Sequence, residues 1–212
     1  MGPDCLCLRS CSFSQSQFIM FLGKRLLPTG QENEEDTSLT APTPSLGAPE
    51  KKSQATDTDV TIYTDGSSLG NPGPGGWAAI LVWGGQKKEI SKGYLETTNN
   101  RMEIRGVIHA LMHLTRPCTV HVYTDSRYVC DAVSKRWIAA WVKNGWKTSA
   151  KKPVKNRDLW ERLMPLLRKH KVHFHWIKAH DGHPENERCD ELAKNAAKSS
   201  DREADAGYLA EA

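Results

Sequence analysis

Two four-residue phrases constrain this chain more than any other feature: Tyr63-Thr64-Asp65-Gly66 and Tyr123-Thr124-Asp125-Ser126. Each ends a run rich in β-branched and aromatic residues, Val60 to Thr64 and Thr119 to Tyr123, that reads as a strand. A strand that stops at Asp before Gly or Ser is stopping at a turn or at the start of a helix. If both strands stop at the same edge of one sheet, their carboxylates stand side by side.

The text around these phrases alternates in type. Trp77 to Trp83 and Glu89 to Leu95 read as two more strands, with Gly84-Gly85 as the hairpin between them. Thr98 or Asn99 can cap a helix in which Ile104, Val107, Ile108, Leu111 and Leu114 recur at helical spacing. Asp125-Ser126 opens helical sequence running towards Trp141, and Leu159 to Leu167 predicts a helix interrupted by Pro165. Val172 to Ile177 alternates and reads as a fifth strand, with Val172, Phe174 and Trp176 on its core side and His173 and His175 opposite. Pro184 to Ala197 reads as a closing helix. The order predicts one mixed α/β domain of about 140 residues, an ordinary size for a single core.

Composition sets the limits of that domain within the 212 residues, which are assigned as 1–57 extension, 58–198 domain and 199–212 flexible C-terminal tail. The extension carries Glu32, Glu34, Glu35 and Asp36, then a Pro/Ser/Thr/Ala stretch from Thr37 to Pro49, and has no sustained period, so it reads as disordered. Its first thirty residues are Ser-rich with Asp4 as the one acid, a composition compatible with organelle targeting. A plain tail and a cytoplasmic location are the simpler expectation. The six cysteines are scattered in a way that fits free thiols rather than a disulfide framework. No apolar run approaches the ~20 residues needed to span a bilayer, so no membrane partner is expected.

Two further acids join the pair at the strand ends. Glu103 falls in the first turn of its helix and Asp190 in the closing helix. Carboxylates brought together repel unless a cation neutralises them. Hard oxygen ligands suit Mg²⁺, for which Mn²⁺ can substitute. Two such ions about 4 Å apart can activate a water and stabilise the leaving oxygen in phosphodiester cleavage. Each acid alone also has an ordinary reading, Asp125 as a helix cap and Glu103 as a first-turn capping-box residue. Spacing does not decide between these readings; the surrounding phrases do.

Those phrases are long and ordered. Thr64-Asp-Gly-Ser-Ser-Leu-Gly-Asn-Pro-Gly-Pro-Gly-Gly-Trp77 is followed by Thr97-Thr-Asn-Asn-Arg-Met-Glu103 and Tyr123-Thr-Asp-Ser126. Gly145-Trp-Lys-Thr148, Lys151-Lys-Pro-Val-Lys-Asn156 and Gly182-His-Pro-Glu-Asn-Glu-Arg-Cys-Asp190 come next. Their content and order resemble bacterial-type (type 1) ribonuclease H over residues 59–198. The resemblance implies a ribonuclease H-like α/β fold, a five-stranded mixed sheet flanked by helices. It also implies an endoribonuclease that hydrolyses the RNA strand of RNA–DNA hybrids, leaving 5′-phosphate and 3′-hydroxyl ends. It maps the metal-binding acids onto Asp65, Glu103, Asp125 and Asp190, with two Mg²⁺ per site. A catalytic histidine on the loop before the last helix maps onto His180. None of the histidines stands at a zinc-motif spacing, and His183 reads as structural.

Between residues 135 and 157 lie eight Lys and Arg and no acid, with Trp137, Trp141 and Trp146 interleaved. Trp137 and Trp141 are four apart and share a helix face, an apolar platform among cations. Lys143, Lys147, Lys151 and Lys152 can track phosphates. The segment resembles the family's basic protrusion, which grips the DNA strand. Cutting only RNA within a hybrid requires sensing the 2′-hydroxyl, and the resemblance places Asn71, Asn99 and Asn100 in the minor groove. It offers Thr98 and Asn156 for a DNA phosphate pocket, and implies a monomer with no obligatory protein partner.

Glu96, Arg127, Arg105 and Gly106 depart from the family's pattern. Glu96 puts the phosphate pocket in doubt, and Arg127 a minor-groove contact. Gly106 inside a helix costs ~1 kcal/mol against Ala. A nuclease of the same fold acting on duplex DNA would lack the basic, tryptophan-rich segment combined with these asparagines. The alternative from another class is a catalytically silent hybrid-binding module, which would require a lost acid.

Overall fold

The computed structural model describes residues 59–179 and 181–211 (residue 211 by its backbone alone). The expected extension and His180 lie outside the described residues. Strands β1 (Asp59–Ser68), β2 (Gly73–Trp83) and β3 (Gln86–Thr97) precede helix α1 (Asn99–Met112). Strand β4 (Thr119–Thr124) leads into α2 (Arg127–Ser134), α3 (Trp137–Lys143) and α4 (Arg157–Lys169). Strand β5 (Lys171–Trp176), α5 (Pro184–Lys198), β6 (Arg202–Glu203) and α6 (Ala206–Glu211) complete the chain.

The sheet order is β5-β4-β1-β2-β3-β6. β2 runs antiparallel to β1 and β3, whereas β4 runs parallel to β1, β5 to β4, and β6 to β3. Alternation along the strands separates two cores. Ile62, Leu81, Val120 and Val122 face α1 and α4, burying Ile104, Val107, Ile108, Leu111, Leu159, Trp160 and Leu163. Ala78 and Ile80 face the other way, against Cys189 and Ala193 of α5. At Gly76 a side chain would run into the backbone of Ala193 and Ala197, so glycine sets how closely α5 approaches the sheet. Among the described residues no helix is long and apolar enough to cross a membrane.

The structure departs from the expectations in five places. The sheet has six strands rather than five. Pro165 sits inside α4 without ending it; burial of the stripe Leu159, Trp160 and Leu163 against the core outweighs one lost backbone hydrogen bond. Trp176, expected on the core side, is 42% exposed. Thr98 precedes α1 but caps it with its carbonyl, which accepts from the Arg101 and Met102 N–H groups, and not with its hydroxyl.

The fifth departure is the C-terminus. Residues 199–211, expected as a flexible tail, carry β6 and α6 and bring Asp205 into the interior. Its carboxylate accepts from Arg101 Nε (2.7 Å), Arg105 Nη2 (2.7 Å) and Thr97 Oγ1 (2.7 Å). Arg101 also forms a two-pronged pair with Asp158 of α4, at 2.9 and 2.7 Å. The Arg105 guanidinium lies 4.4 Å from the Tyr94 ring centroid. That network accounts for the unexpected Arg105. Gly106 is accounted for by closeness, since a Cβ there would stand 3.3 Å from the Ala78 carbonyl oxygen and 3.4 Å from Thr64 Cβ.

Burial raises the Asp205 pKa, but the hydrogen bonds from Arg101, Arg105 and Thr97 outweigh it and hold the carboxyl well below the usual carboxylate range. The stability it contributes is therefore present above the ordinary aspartate range and is lost as pH falls towards its depressed value. Asp205→Asn removes the carboxylate that Arg105 pairs with and one of the two that Arg101 pairs with, at a cost of ~3–5 kcal/mol. Urea denaturation at pH 7 should show that loss, and the gap between wild type and variant should narrow below about pH 4. An unchanged unfolding midpoint at pH 7 would remove this role from Asp205.

Candidate active site

The twin phrases of the sequence become neighbours because β1 and β4 are parallel and in register, Tyr63 opposite Tyr123. Two residues further on come Asp65, still within β1, and Asp125, just past the end of β4. The turn after Asp125 belongs to its neighbours. Ser126 Oγ accepts from the Val129 N–H and caps α2, while Thr124 Oγ1 accepts from the Ser126 N–H at 3.2 Å. The capping role is therefore Ser126's, not Asp125's.

Glu103 is brought in by a close approach of α1 to the end of β1. At Gly66 a Cβ would collide with the backbone of Met102 and Glu103, so only glycine allows this contact. The Gly66 N–H donates to Asp65 Oδ1 at 2.7 Å. One oxygen from each of Asp65, Glu103 and Asp125 lies within 4.8 Å of the others. Asp65 and Glu103 are each 6% exposed, and Asp125 is half-buried.

Burial first, then the charge of Asp125, pushes the Asp65 carboxyl up to about 7. Glu103 is raised well above its ordinary value by burial, then by Asp65 and Asp125. The Asn99 amide donates to Glu103 Oε1 at 3.3 Å, while buried Glu103 Oε2 has no hydrogen-bond partner. Clustered carboxylates with an unsatisfied oxygen fit a hard divalent cation, which would relieve both the repulsion and the orphaned acceptor.

Asp190 stands at the margin of this group. It is half-buried on α5 and pairs with Lys194 Nζ at 2.7 Å. Its charge reaches Asp65, whose pKa it raises less than Asp125 does. The structure thus brings three of the four expected acids together, with the fourth beside them. Asn71 Oδ1 accepts from the Asn99 N–H at 3.3 Å, joining the β1–β2 loop to the start of α1. Asn100 is exposed and Thr98 half-buried. Asn156 is 7% exposed, with its amide donating to the Tyr128 hydroxyl at 3.4 Å.

The basic segment divides by residue type. Lys143, Lys147, Lys151 and Lys152 are exposed. Trp137 and Trp141 have ring centroids 6.1 Å apart and are half-buried, Trp141 lying 5.7 Å from the core indole of Trp160. The platform is therefore also the seam that fastens α3 to the domain. Sequence reasoning missed Trp176 as part of the site. Its indole N–H donates to the Asp125 carbonyl at 2.9 Å, and the Arg127 guanidinium lies 3.8 Å from its ring centroid. Only the pairing of β5 with β4, Trp176 opposite Thr124, places it there.

Comparison with known proteins agrees with this geometry. The RNase H family pattern matches residues 57–198. A ribonuclease H of Nitratidesulfovibrio vulgaris is 62% identical over 150 residues, covering 71% of this chain and 96% of that protein. A ribonuclease H of Psychromonas ingrahamii is 54% identical over 149 residues, covering 70% and 97%. Among solved structures, LC9-RNase H1, a type 1 RNase H with the type 2 active-site motif, superposes with a TM-score of 0.60 at 32% identity, covering 74% of this chain and 82% of that one. LC11-RNase H1 in complex with an RNA/DNA hybrid gives 0.50 at 25% identity, covering 66% and 96%. The fold that gathers the acids and the sequence that supplies them point the same way: this chain belongs to the ribonuclease H family.

Proposed function

We propose that the chain is an endoribonuclease that hydrolyses the RNA strand of RNA–DNA hybrids with divalent metal ions, preferentially Mg²⁺. The observation that carries this reading is the convergence of Asp65, Glu103 and Asp125 with an unsatisfied Glu103 oxygen, on a fold shared with the hybrid-bound LC11-RNase H1. Asp65, Glu103 and Asp125 would hold the metals, with Asp190 completing the set. When bound, the ions would supply charge stabilisation at the scissile phosphate and a water of lowered pKa.

The chain's own residues do the rest. Asn99 orients Glu103 through the 3.3 Å amide hydrogen bond and, with Asn71 and Asn100, is the group proposed to meet the sugar edges. The exposed lysines of the 143–152 segment are proposed to hold the DNA strand by its phosphates, with part of the Trp137 and Trp141 rings beside them. Recognition through sugar and backbone gives little sequence preference. His180 is proposed to move a proton at the cleaved end. The products would carry 5′-phosphate and 3′-hydroxyl ends.

Three measurements test this. A labelled hybrid with Mg²⁺ should be cut while the same RNA, single-stranded or paired with RNA, is spared, and EDTA or Asp65→Asn should lower the rate by about 10³-fold or more. Tight hybrid binding without cutting would leave the silent binding module as the better account. Replacing Lys147, Lys151 and Lys152 by Ala should weaken hybrid binding and flatten its log–log salt dependence, by about one unit for each phosphate no longer neutralised. An unaltered slope would remove these lysines from the interface.

The third measurement concerns pH. Because the folded-state Asp65 pKa is raised to about 7, its contribution to stability is complete below the ordinary aspartate range. It is lost as pH rises through about 7. The metal-free wild type should therefore lose thermal stability between pH 5 and pH 8. Asp65→Asn should lose less, by about 2–4 °C per kcal/mol of relieved repulsion, and Mg²⁺ should restore the wild type. Parallel losses in both proteins would show that the cluster is not strained by charge.

A further inference from the structure

Asp125 reaches the acid cluster from just past the end of β4, where the ladder that fixes backbone direction is stopping. On the β1 side the pairing ends at Tyr63 opposite Tyr123, and on the β5 side at Thr124 opposite Trp176. Beyond the strands, the Ile177 N–H still donates to the Thr124 carbonyl at 3.0 Å. The next carbonyl, that of Asp125, accepts from the Trp176 indole N–H at 2.9 Å. A side chain of β5 thus extends the ladder by one residue.

The Asp125 carbonyl and the Ser126 N–H belong to one planar peptide group. The Ser126 N–H donates to Thr124 Oγ1 at 3.2 Å. The plane is therefore pinned at both ends, and its tilt sets ψ of Asp125 and the direction from which that residue enters the site. Arg127 closes the arrangement. One residue past the Ser126 cap, its guanidinium returns over the Trp176 ring, 3.8 Å from the centroid.

We propose that Trp176 is a positioning residue for Asp125: its indole N–H holds the Asp125–Ser126 peptide, and Arg127, stacked on the ring, keeps the indole turned to that carbonyl. The inference rests on the proposed metal-dependent hydrolysis, in which Asp125 is a ligand. Trp176 is 42% exposed, so water can satisfy its N–H, and a hydrogen bond at the surface adds little to stability. What this bond adds is direction. One oxygen each of Asp65, Glu103 and Asp125 lies within 4.8 Å of the others, and Mg²⁺, with ligands at about 2.0–2.1 Å in near-ideal geometry, tolerates little displacement of such a set. β5 supplies no acid to the cluster; it enters the site through this donor.

The test compares wild type, Trp176→Phe and Arg127→Lys as full chains. Phenylalanine keeps a ring beneath Arg127 and deletes the donor. Lysine keeps the charge beside the acids and loses the planar stack. Mg²⁺ binding is read from the Gly66 and Ser126 backbone amide resonances, and hybrid cleavage as kcat and KM well below each unfolding midpoint. Trp176→Phe should bind Mg²⁺ about ten-fold more weakly and lose about ten-fold in kcat, as removal of a group that orients a ligand does, with KM for the hybrid retained. Arg127→Lys should move both quantities the same way by a smaller factor.

Unchanged Mg²⁺ affinity and kcat in Trp176→Phe would overturn the proposal, whatever its unfolding midpoint. So would a loss confined to KM, which would make Trp176 a contact to the hybrid. If the wild type does not cut hybrid, the hydrolysis reading falls, while the Mg²⁺ titrations of the three proteins still decide the role of Trp176. In the wild type, the Trp176 Nε1–H should exchange with solvent more slowly than a free indole and shift as Mg²⁺ binds. An Nε1–H that does neither would overturn the proposal even if Trp176→Phe does not fold.

Discussion

Everything at the site depends on the parallel, in-register pairing of β1 with β4. A one-residue slip would turn one of the two aspartates to the opposite face of the sheet, because side chains alternate along a strand. The pairing is held from the core side by Val60, Ile62, Val120 and Val122, all buried in the core that α1 and α4 share. The same apolar packing that stabilises the domain thus forces Asp65 and Asp125 together. The resulting repulsion is visible in the raised pKa values of Asp65 and Glu103. Hydrophobic burial of several side chains, at about 1.5–3 kcal/mol each, is large enough to sustain that conflict.

A second electrostatic arrangement stands beside α1, with the opposite sense. Arg101 and Arg105 flank Glu103 in the sequence of the helix, and their guanidinium groups meet Asp205 and Asp158. Here buried charges are paired and hydrogen-bonded; at the acid cluster three carboxylates share a confined space. The two arrangements pull pKa values in opposite directions, Asp205 downward and Asp65 upward. One helix takes part in both: a matched ion network that anchors it to α4 and the C-terminal segment, and, through Glu103, a group of like charges whose repulsion a cation would relieve.

Much of this is legible in the sequence. Alternation and helical spacing locate the first five strands and the long helices, because burial of one face imposes period two or 3.6 on the residues. The four acids are legible through the long phrases around them. What fails has non-local causes. The segment 199–211 has too few apolar residues to announce a strand and a helix; its order depends on Asp205 meeting two arginines about a hundred residues earlier. Alternation assigns Trp176 inward, yet its indole N–H finds the Asp125 carbonyl and stays at the surface.

The sequence by itself determined the family and the two strands that lead into Asp65-Gly66 and Asp125-Ser126, since these follow from local patterning and from ordered phrases. Only the tertiary structure decided which charges meet. It showed that three acids converge while Asp190 stands beside them with Lys194, and that Arg101 and Arg105 share Asp205. It also brought His121 against His173 and His175, residues more than fifty positions away. The physical reason is that charge and coordination depend on distances of a few ångströms between strands, and strand order and register are set by packing of the whole core rather than by any local stretch of chain.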